Sequence, residues 1–143
     1  MNRAPLIAAA LLLTMELGTA HANDATGSWE HRGPASSGMW LKTQQVGQKV
    51  RFQLELARGG PSYNSAWIEG EFEMHNAAGV FRSTQYGACE ITFEFAQSSV
   101  RIKESDKKRE CGFGYNVHAD GTLILKSRKK PKFSDGDPRL NSK

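Results

Sequence analysis

The chain has 143 residues, of which 38% are hydrophobic and 24% are charged, and its formal net charge is +4. This length predicts one domain that can bury a conventional core. Residues 23–125 hold 11 basic and 12 acidic side chains, whereas residues 126–143 hold 7 basic and 2 acidic ones. Residues 23–125 are nearly neutral because the positive charge lies in the C-terminal tail. This distribution excludes a domain whose whole surface attracts an acidic partner.

The N-terminus has the pattern of a secretory signal peptide. Arg3 precedes an apolar run from Leu6 to Leu13, and Ala20-His21-Ala22 has the small-x-small form of a signal-peptidase site. The apolar run is about half of the roughly 20 residues that a membrane span needs. We therefore predict a cleaved signal peptide at residues 1–22, a periplasmic or secreted mature protein, and no membrane span.

Apolar side chains alternate with polar ones through most of residues 23–126, which predicts an all-β domain. Strands are expected at 27–31, 39–44, 49–57, 66–75, 80–84, 89–95, 100–102, 115–119 and 122–126. The charged run from Glu104 to Glu110 predicts an exposed loop, and Asp120-Gly121 predicts a tight hairpin turn. Short connections between about eight strands predict an antiparallel meander that forms a flattened barrel or a sandwich.

Two segments rich in glycine, proline and serine, 31–38 and 58–65, predict surface loops. Loops carry binding residues more often than strands do, so these segments are the main candidates for recognition. The candidate binding residues are Ser36, Ser37, Gly38, Trp40, Arg58, Tyr63 and Asn64. Further candidates of the kind favoured at interfaces are Trp67, Tyr86, Tyr115 and Asn116, although Trp40 also fits an ordinary core position.

Cys89 and Cys111 are the only two cysteines of the chain. In an exported protein such a pair predicts a disulfide, because oxidising compartments retain the bond. On the chain-entropy model, a disulfide that closes the loop from Cys89 to Cys111 stabilises the fold by roughly 3 to 4 kcal/mol. A metal or redox role is not indicated, since the pair lacks C-x-x-C spacing and nearby histidines.

An acidic stripe on the fourth predicted strand, Glu69, Glu71 and Glu73 followed by His75, raises the question of catalysis. Carboxylates on one strand face recur about every 6.6 to 7 Å, which suits paired acid chemistry but not tight metal chelation. A solvated strand face with arginines on the neighbouring strands explains the same pattern. The chain also lacks a G-x-S-x-G motif and histidines at chelating spacing. We therefore predict a protein that is not an enzyme and uses no metal ion and no cofactor.

The C-terminal tail, residues 127–143, is basic and poor in apolar side chains, which predicts disorder beyond about Pro131. A weak contact with anionic surfaces is one interpretation of the tail, and a solvated terminus is the other. Nucleic acid is not expected as a partner, because the chain carries an export signal.

One run of the second half, Cys111-Gly112-Phe113-Gly114-Tyr115-Asn116-Val117-His118-Ala119-Asp120-Gly121-Thr122, carries a family resemblance. With the export signal, the single disulfide and the all-β meander, it resembles the small periplasmic proteins of the lysozyme-inhibitor type. In that group a loop with Ser-Gly followed by an aromatic enters the lysozyme cleft and meets the catalytic acids. Here Ser37-Gly38-Met39-Trp40 differs from that spacing, so the resemblance implies the kind of function and no individual residue.

The resemblance implies a non-enzymatic binding protein with a protein partner, possible partners being lysozyme and other cell-wall hydrolases. Two further interpretations stay open. One is a small-molecule or lipid-binding β-barrel, which requires an internal cavity. The other is a hydrolase that uses the face of Glu69, Glu71 and Glu73. The sequence leaves the oligomeric state open.

Overall fold

The computed structural model describes residues 24–35 and 37–137, which form eight antiparallel strands closed into a barrel in sequence order. The strands are β1 (Gly27–Arg32), β2 (Gly38–Val46), β3 (Lys49–Ala57), β4 (Ser65–His75), β5 (Ala78–Ser83), β6 (Cys89–Phe95), β7 (Ser99–Arg109) and β8 (Gly121–Ser127). β8 closes the barrel by pairing with β1, where Trp29 lies opposite Leu125. The all-β prediction is confirmed, and the fold is a barrel. The predicted signal peptide and candidate Ser36 lie outside the described residues.

The alternating side chains fill the interior of the barrel, as the pattern predicts. The inward residues of β3 and β6 are Val50, Phe52, Leu54 and Leu56, and Cys89, Ile91, Phe93 and Phe95, and all of them are buried. Phe72 stacks on Phe93 with ring centroids 4.7 Å apart, and Phe52 lies 4.9 Å from Phe93. Buried aromatic pairs of this kind contribute about 0.5 to 1.5 kcal/mol beyond their buried area. The centre of the barrel is thus occupied by side chains.

The meander sends alternate connections to opposite ends of the barrel. The connections at one end are short and comprise residues 47–48, 76–77 and 96–98. Those at the other end are longer and comprise 33–37, 58–64, 84–88 and 110–120. We call these the short-turn end and the long-loop end. Both predicted binding loops lie at the long-loop end.

Two predictions about the second half are wrong. The charged run is part of a strand, because β7 continues to Arg109, which lies opposite Cys89. Outward charges there pair across strands, as between Lys108 Nζ and Glu90 Oε2 at 3.1 Å, so a charged sequence is compatible with a sheet. Conversely, residues 115–119 are irregular although Val117 and Ala119 are buried.

The predicted hairpin turn at Asp120-Gly121 is also absent, because Gly121 is the first residue of β8 and the connection from β7 spans residues 110–120. The Asp120 side chain has a different role. Its Oδ1 accepts a hydrogen bond from the backbone N–H of Glu104 at 2.9 Å. Asp120 therefore ties the end of the long connection back to β7.

Beyond β8, residues 131–134 of the C-terminal tail contact the barrel, where the sequence predicts disorder, and residues 138–143 lie outside the described part of the chain. Pro131 is buried, and Phe133 lies under the Arg51 guanidinium, 4.4 Å from ring centroid to Cζ. Ser134 exchanges two hydrogen bonds with the Gln53 amide, at 2.7 and 2.9 Å. One proline, one aromatic ring and one amide thus hold a segment whose composition alone predicts no structure.

β4 and β5 separate soon after their turn. They pair only at Met74–Gly79 and His75–Ala78, whereas β3 and β4 pair from Lys49–Glu73 to Ala57–Ser65. Phe81 on β5 fills part of the gap, because its ring lies where a side chain at Gly70 would be. Beside this gap lies a depression of about 220 Å³, which the 84–88 connection and the disulfide also line. We call this gap the β4–β5 seam.

Candidate binding surface at the long-loop end

The two predicted binding loops contact each other at the long-loop end. The Gly60 N–H donates a hydrogen bond to the Ala35 carbonyl at 3.2 Å. A Cβ at Gly59 would overlap the same Ala35 carbonyl, so the close approach requires glycine there. Ser37 is fixed by its own loop, because its Oγ donates to the Pro34 carbonyl at 2.7 Å. The two loops therefore form one continuous surface.

The connection from β7 to β8 completes this surface. The Asn64 side-chain amide donates to the Tyr115 carbonyl at 2.9 Å, and Arg58 Nη1 donates to the Asn116 carbonyl at 3.3 Å. The Cys89–Cys111 disulfide, which the sequence predicted, attaches the start of the connection to β6. The candidates Arg58 and Asn64 thus hold the segment that carries the family resemblance.

A depression of about 200 Å³ lies where these segments meet. Its lining includes His31, Ser37, Arg58, Asn116, His118 and Asp120. Gly38 also lines it. In the part of the chain that the structure describes, Arg58 makes no ion pair, so its charge is not neutralised by a carboxylate. The lining therefore presents the Arg58 guanidinium, which is hydrogen-bonded to the Asn116 carbonyl, together with two imidazoles and the Asp120 carboxylate.

All three tyrosines of the chain are exposed around this end of the barrel. Tyr63 is 71% exposed, Tyr86 64% and Tyr115 82%, and each lies on a different long loop. Ala35 and Tyr63 also have positive φ angles, of 52° and 48°, which side chains other than Gly and Asn rarely adopt. Ala77 in the short turn 76–77 has the same conformation, with φ 67°, so this feature is not confined to the long-loop end.

Beneath the surface lies a buried carboxylate, Glu104, whose side chain is 1% exposed. Its Oε2 accepts a hydrogen bond from the Ala119 N–H at 3.2 Å and lies 3.5 Å from His118 Nδ1. Burial raises the pKa of Glu104 above its ordinary value, and the Asp120 carboxylate adds to the rise. Three interactions act in the opposite direction and lower this pKa: the hydrogen bond from Ala119 and the electrostatic interactions with His118 and Arg109.

The structure places the candidate Trp40 elsewhere. Its Nε1 donates to Glu30 Oε1 at 3.2 Å, and its ring lies over Gly38, where an added Cβ would be 2.8 Å from a ring carbon. Trp40 therefore belongs to the outer wall of the barrel. Sequence reasoning also missed His31, at the end of β1. It missed His118 and Asp120 because residues 115–119 have the pattern of a strand although they form part of a loop.

The acidic face of β4 lies on the exposed wall. Glu71 pairs with Lys49 at 3.4 Å, and Glu73 lies 3.8 Å from His75 Nε2. Their side chains are 54% and 69% exposed. Within residues 24–35 and 37–137, no group of three or more His, Cys, Asp or Glu is arranged to hold a metal ion. The same residues contain no helix long and apolar enough to cross a bilayer.

Comparison with protein-family models, with characterised proteins and with solved structures finds no match. The case for a function therefore rests on the geometry of the surface and on the sequence pattern of residues 111–122.

Proposed function

We propose that this is a periplasmic or secreted, non-enzymatic binding protein whose long-loop end inhibits lysozyme or another cell-wall hydrolase. The observation that carries the proposal is the placement of Tyr63, Tyr86 and Tyr115, all exposed, on three loops at one end of the barrel. Tyrosine is enriched at protein interfaces, where it offers a large contact area at low entropic cost.

The guanidinium of Arg58, which makes no ion pair with any residue that the structure describes, supports the partner class. Most glycoside hydrolases cleave their substrates with a pair of carboxylates in a cleft. An arginine is well suited to such a target, because its planar fork can donate two hydrogen bonds to one carboxylate. His31 and His118 line the same depression and add further donors. The resemblance of residues 111–122 to lysozyme-inhibitor proteins points to the same kind of partner.

The surface is preorganised, which favours inhibition over loose contact. The disulfide, the Gly60–Ala35 hydrogen bond and the Asn64–Tyr115 hydrogen bond fix the three loops to one another. A surface that is already ordered loses little conformational entropy on binding. By contrast, the lipid-carrier interpretation needs an open interior, and the rings of Phe52, Phe72 and Phe93 occupy the centre of this barrel.

The test measures the turnover of c-, g- and i-type lysozymes on cell walls in the presence of the mature protein. We expect inhibition at micromolar concentration by the parent. We expect the inhibition constant to rise about tenfold or more for Arg58→Ala and for Tyr115→Ala, the usual loss when a central arginine or aromatic anchor is removed.

The matched control is Arg101→Ala, which removes an exposed arginine from the barrel wall, opposite Glu94 and away from the long loops. It should inhibit as the parent does. Thermal unfolding of each variant checks that the fold is intact. Unchanged lysis by all three lysozyme types, or equal effects of Arg58→Ala and Arg101→Ala, would contradict the proposal.

A further inference from the structure

We infer that Trp40, Glu55 and Trp67 form a separate binding site on the outer wall for a primary ammonium group carried on an aliphatic stem. The three residues form one row across three strands, since Trp40 on β2 lies opposite Glu55 on β3, which lies opposite Trp67 on β4. Neighbouring strands are about 4.8 Å apart, so the backbones of the two tryptophans lie on either side of the Glu55 backbone at about that distance.

Glu55 is distinguished from the other acids of this wall by having no partner. Glu30 is bonded to Arg32 and Trp40, and Glu69 accepts a hydrogen bond from Gln53 at 2.9 Å. Glu55 is half-buried, yet within the described part of the chain it makes no hydrogen bond and no ion pair. A half-buried carboxylate without a partner can attract a cation.

The indoles are positioned to receive that cation. Trp40 is held in place by its hydrogen bond to Glu30 and by its contact with Gly38. Trp67 is half-buried, and it lines the same small depression as Trp40 and Glu55. The face of an indole ring attracts a cation through its quadrupole, and tryptophan does so best of the aromatic side chains.

The size of the depression is compatible with the ligand. Its volume is about 40 Å³. This is room for a group of the size of a water molecule or an ammonium group. The aliphatic stem would leave along the indole faces toward solvent. A neutral alkyl group gains nothing from Glu55, and an anion is repelled by it.

The C-terminal tail forms one side of the site. Ser134 lines the depression, and its two hydrogen bonds with Gln53 hold it there. Lys42 also lines the depression, but its Nζ donates to the Lys132 carbonyl at 2.9 Å, which directs this ammonium toward the tail. Among the residues that the structure describes, the tail thus engages Lys42, the basic residue of the lining, and leaves Glu55 without a counter-ion.

The test titrates the protein with n-butylammonium and, as a neutral isostere, 1-butanol, and follows the indole N–H signals by NMR. We expect saturable shifts of the Trp40 and Trp67 signals with n-butylammonium, and at least about fivefold weaker binding of 1-butanol, as loss of a cation–π contact and an ion pair implies. Trp29 is an internal control, because it is 1% exposed and its Nε1 is bonded to Thr43.

Glu55→Gln should weaken n-butylammonium binding about fivefold or more, since it removes the charge and keeps the shape. Glu71→Gln, on the same wall but paired with Lys49, is the matched control and should bind as the parent does. Equal binding of n-butylammonium and 1-butanol, parent-like binding by Glu55→Gln, or no saturation by n-butylammonium would overturn the proposal.

The ammonium group could come from a free amine or from a lysine of a partner protein, and a second pair of probes separates the two. Nα-acetyl-lysine methylamide carries the group on a peptide unit, and its Nζ-acetylated form lacks the charge. Tighter binding of the peptide unit than of n-butylammonium supports a protein lysine, and equal binding supports a free amine. Equal binding of the charged and the acetylated peptide unit would overturn the site.

Discussion

Glu104 is the one charged side chain that is fully buried among the described residues. It joins β7 to the connection that follows, because its carboxylate accepts the Ala119 N–H and its own N–H is bonded to Asp120. His118 Nδ1 lies 3.5 Å from the carboxylate, and Arg109 lies 3.6 Å from Asp120. A single buried acid thus sets the position of residues beside the proposed binding surface.

Glu104→Gln should make the free energy of unfolding less dependent on pH. Burial raises the pKa of Glu104 in the folded state above the ordinary value of 4.5. A raised pKa means that the folded state holds the proton more tightly, so this contribution to stability is present below pH 4.5 and is lost as the pH rises through the folded-state pKa. Each unit of pKa shift corresponds to about 1.4 kcal/mol.

The measurement is the free energy of unfolding in urea from pH 4 to pH 8. The glutamine can still accept the Ala119 hydrogen bond, so the variant should lose less stability than the parent over this range. Glu94→Gln, an exposed acid on β6, is the matched control and should follow the parent. If the free energy of unfolding changes with pH in the same way in the parent and in Glu104→Gln, the pKa of this carboxyl is not raised in the folded state.

At the level of single residues, the sequence predicts what periodicity and chemistry determine. The inward positions of Phe52 and Phe93 follow from alternation, and the disulfide follows from two cysteines in a chain that the sequence predicts to be exported. Glu104 could not be predicted, because it begins a run of six charges in seven residues that has the composition of a loop. Its burial depends on Ala119 and Asp120, which only the folded chain brings near.

Among the strands, β4 is the one whose pairing is least complete on one side. From Ala66 to Phe72 it pairs with β3, but its other edge faces the β4–β5 seam. Backbone groups on an unpaired edge are free to bond to water. The ring of Phe81 and the depression beside it occupy the place where a longer ladder would lie.

Amide hydrogen exchange should detect this difference between strands. We expect the amides of β4 that face the seam, within residues 66–72, to exchange faster than those of residues 50–56 in β3, which is paired on both sides. The measurement is exchange followed by NMR under native conditions, with the amides of β4 that face β3 as the internal control. Equal protection on the two sides of β4 would contradict an open seam.

The bounds of strands could be predicted where a strand has one solvent-exposed face and one buried face. β3 and β6 have the predicted bounds, 49–57 and 89–95, for this reason. The prediction fails at 104–110, where the many charged residues favour a loop but the chain forms a strand. It also fails at 115–119, where alternating apolar residues favour a strand but the chain forms a loop. In the second segment the backbone carbonyls of Tyr115 and Asn116 accept hydrogen bonds from the side chains of Asn64 and Arg58 on another loop. No local sequence pattern reveals these contacts.

For the whole molecule, the candidate surface is a consequence of topology. A meander alternates its connections between two ends, so the segments 33–37, 58–64 and 110–120 meet at one end. The sequence predicts the first two as loops and hence part of this surface. It does not distinguish a barrel from a sandwich, because that depends on the pairing of β1 with β8, where Trp29 meets Leu125 from the far end of the chain.

The disulfide links this topology to function, because it is the only covalent bond between β6 and the β7–β8 connection. Replacing both Cys89 and Cys111 by serine should lower the free energy of unfolding by about 3 kcal/mol, since the closed loop no longer restricts the unfolded chain. The same change should weaken inhibition, because Tyr115 and Asn116 lie on the released segment. Urea unfolding and the lysozyme assay measure the two effects.

The parent protein treated with a reductant is the control for the double variant, because it loses the bond without a change of residue. Both should unfold at the same lower urea concentration. If the variant is destabilised but inhibits as well as the parent at a temperature where it is folded, the hydrogen bonds of Arg58 and Asn64 hold the connection without the disulfide. If stability itself is unchanged, the loop is already restricted in the unfolded chain, and the chain-entropy account of this bond is wrong.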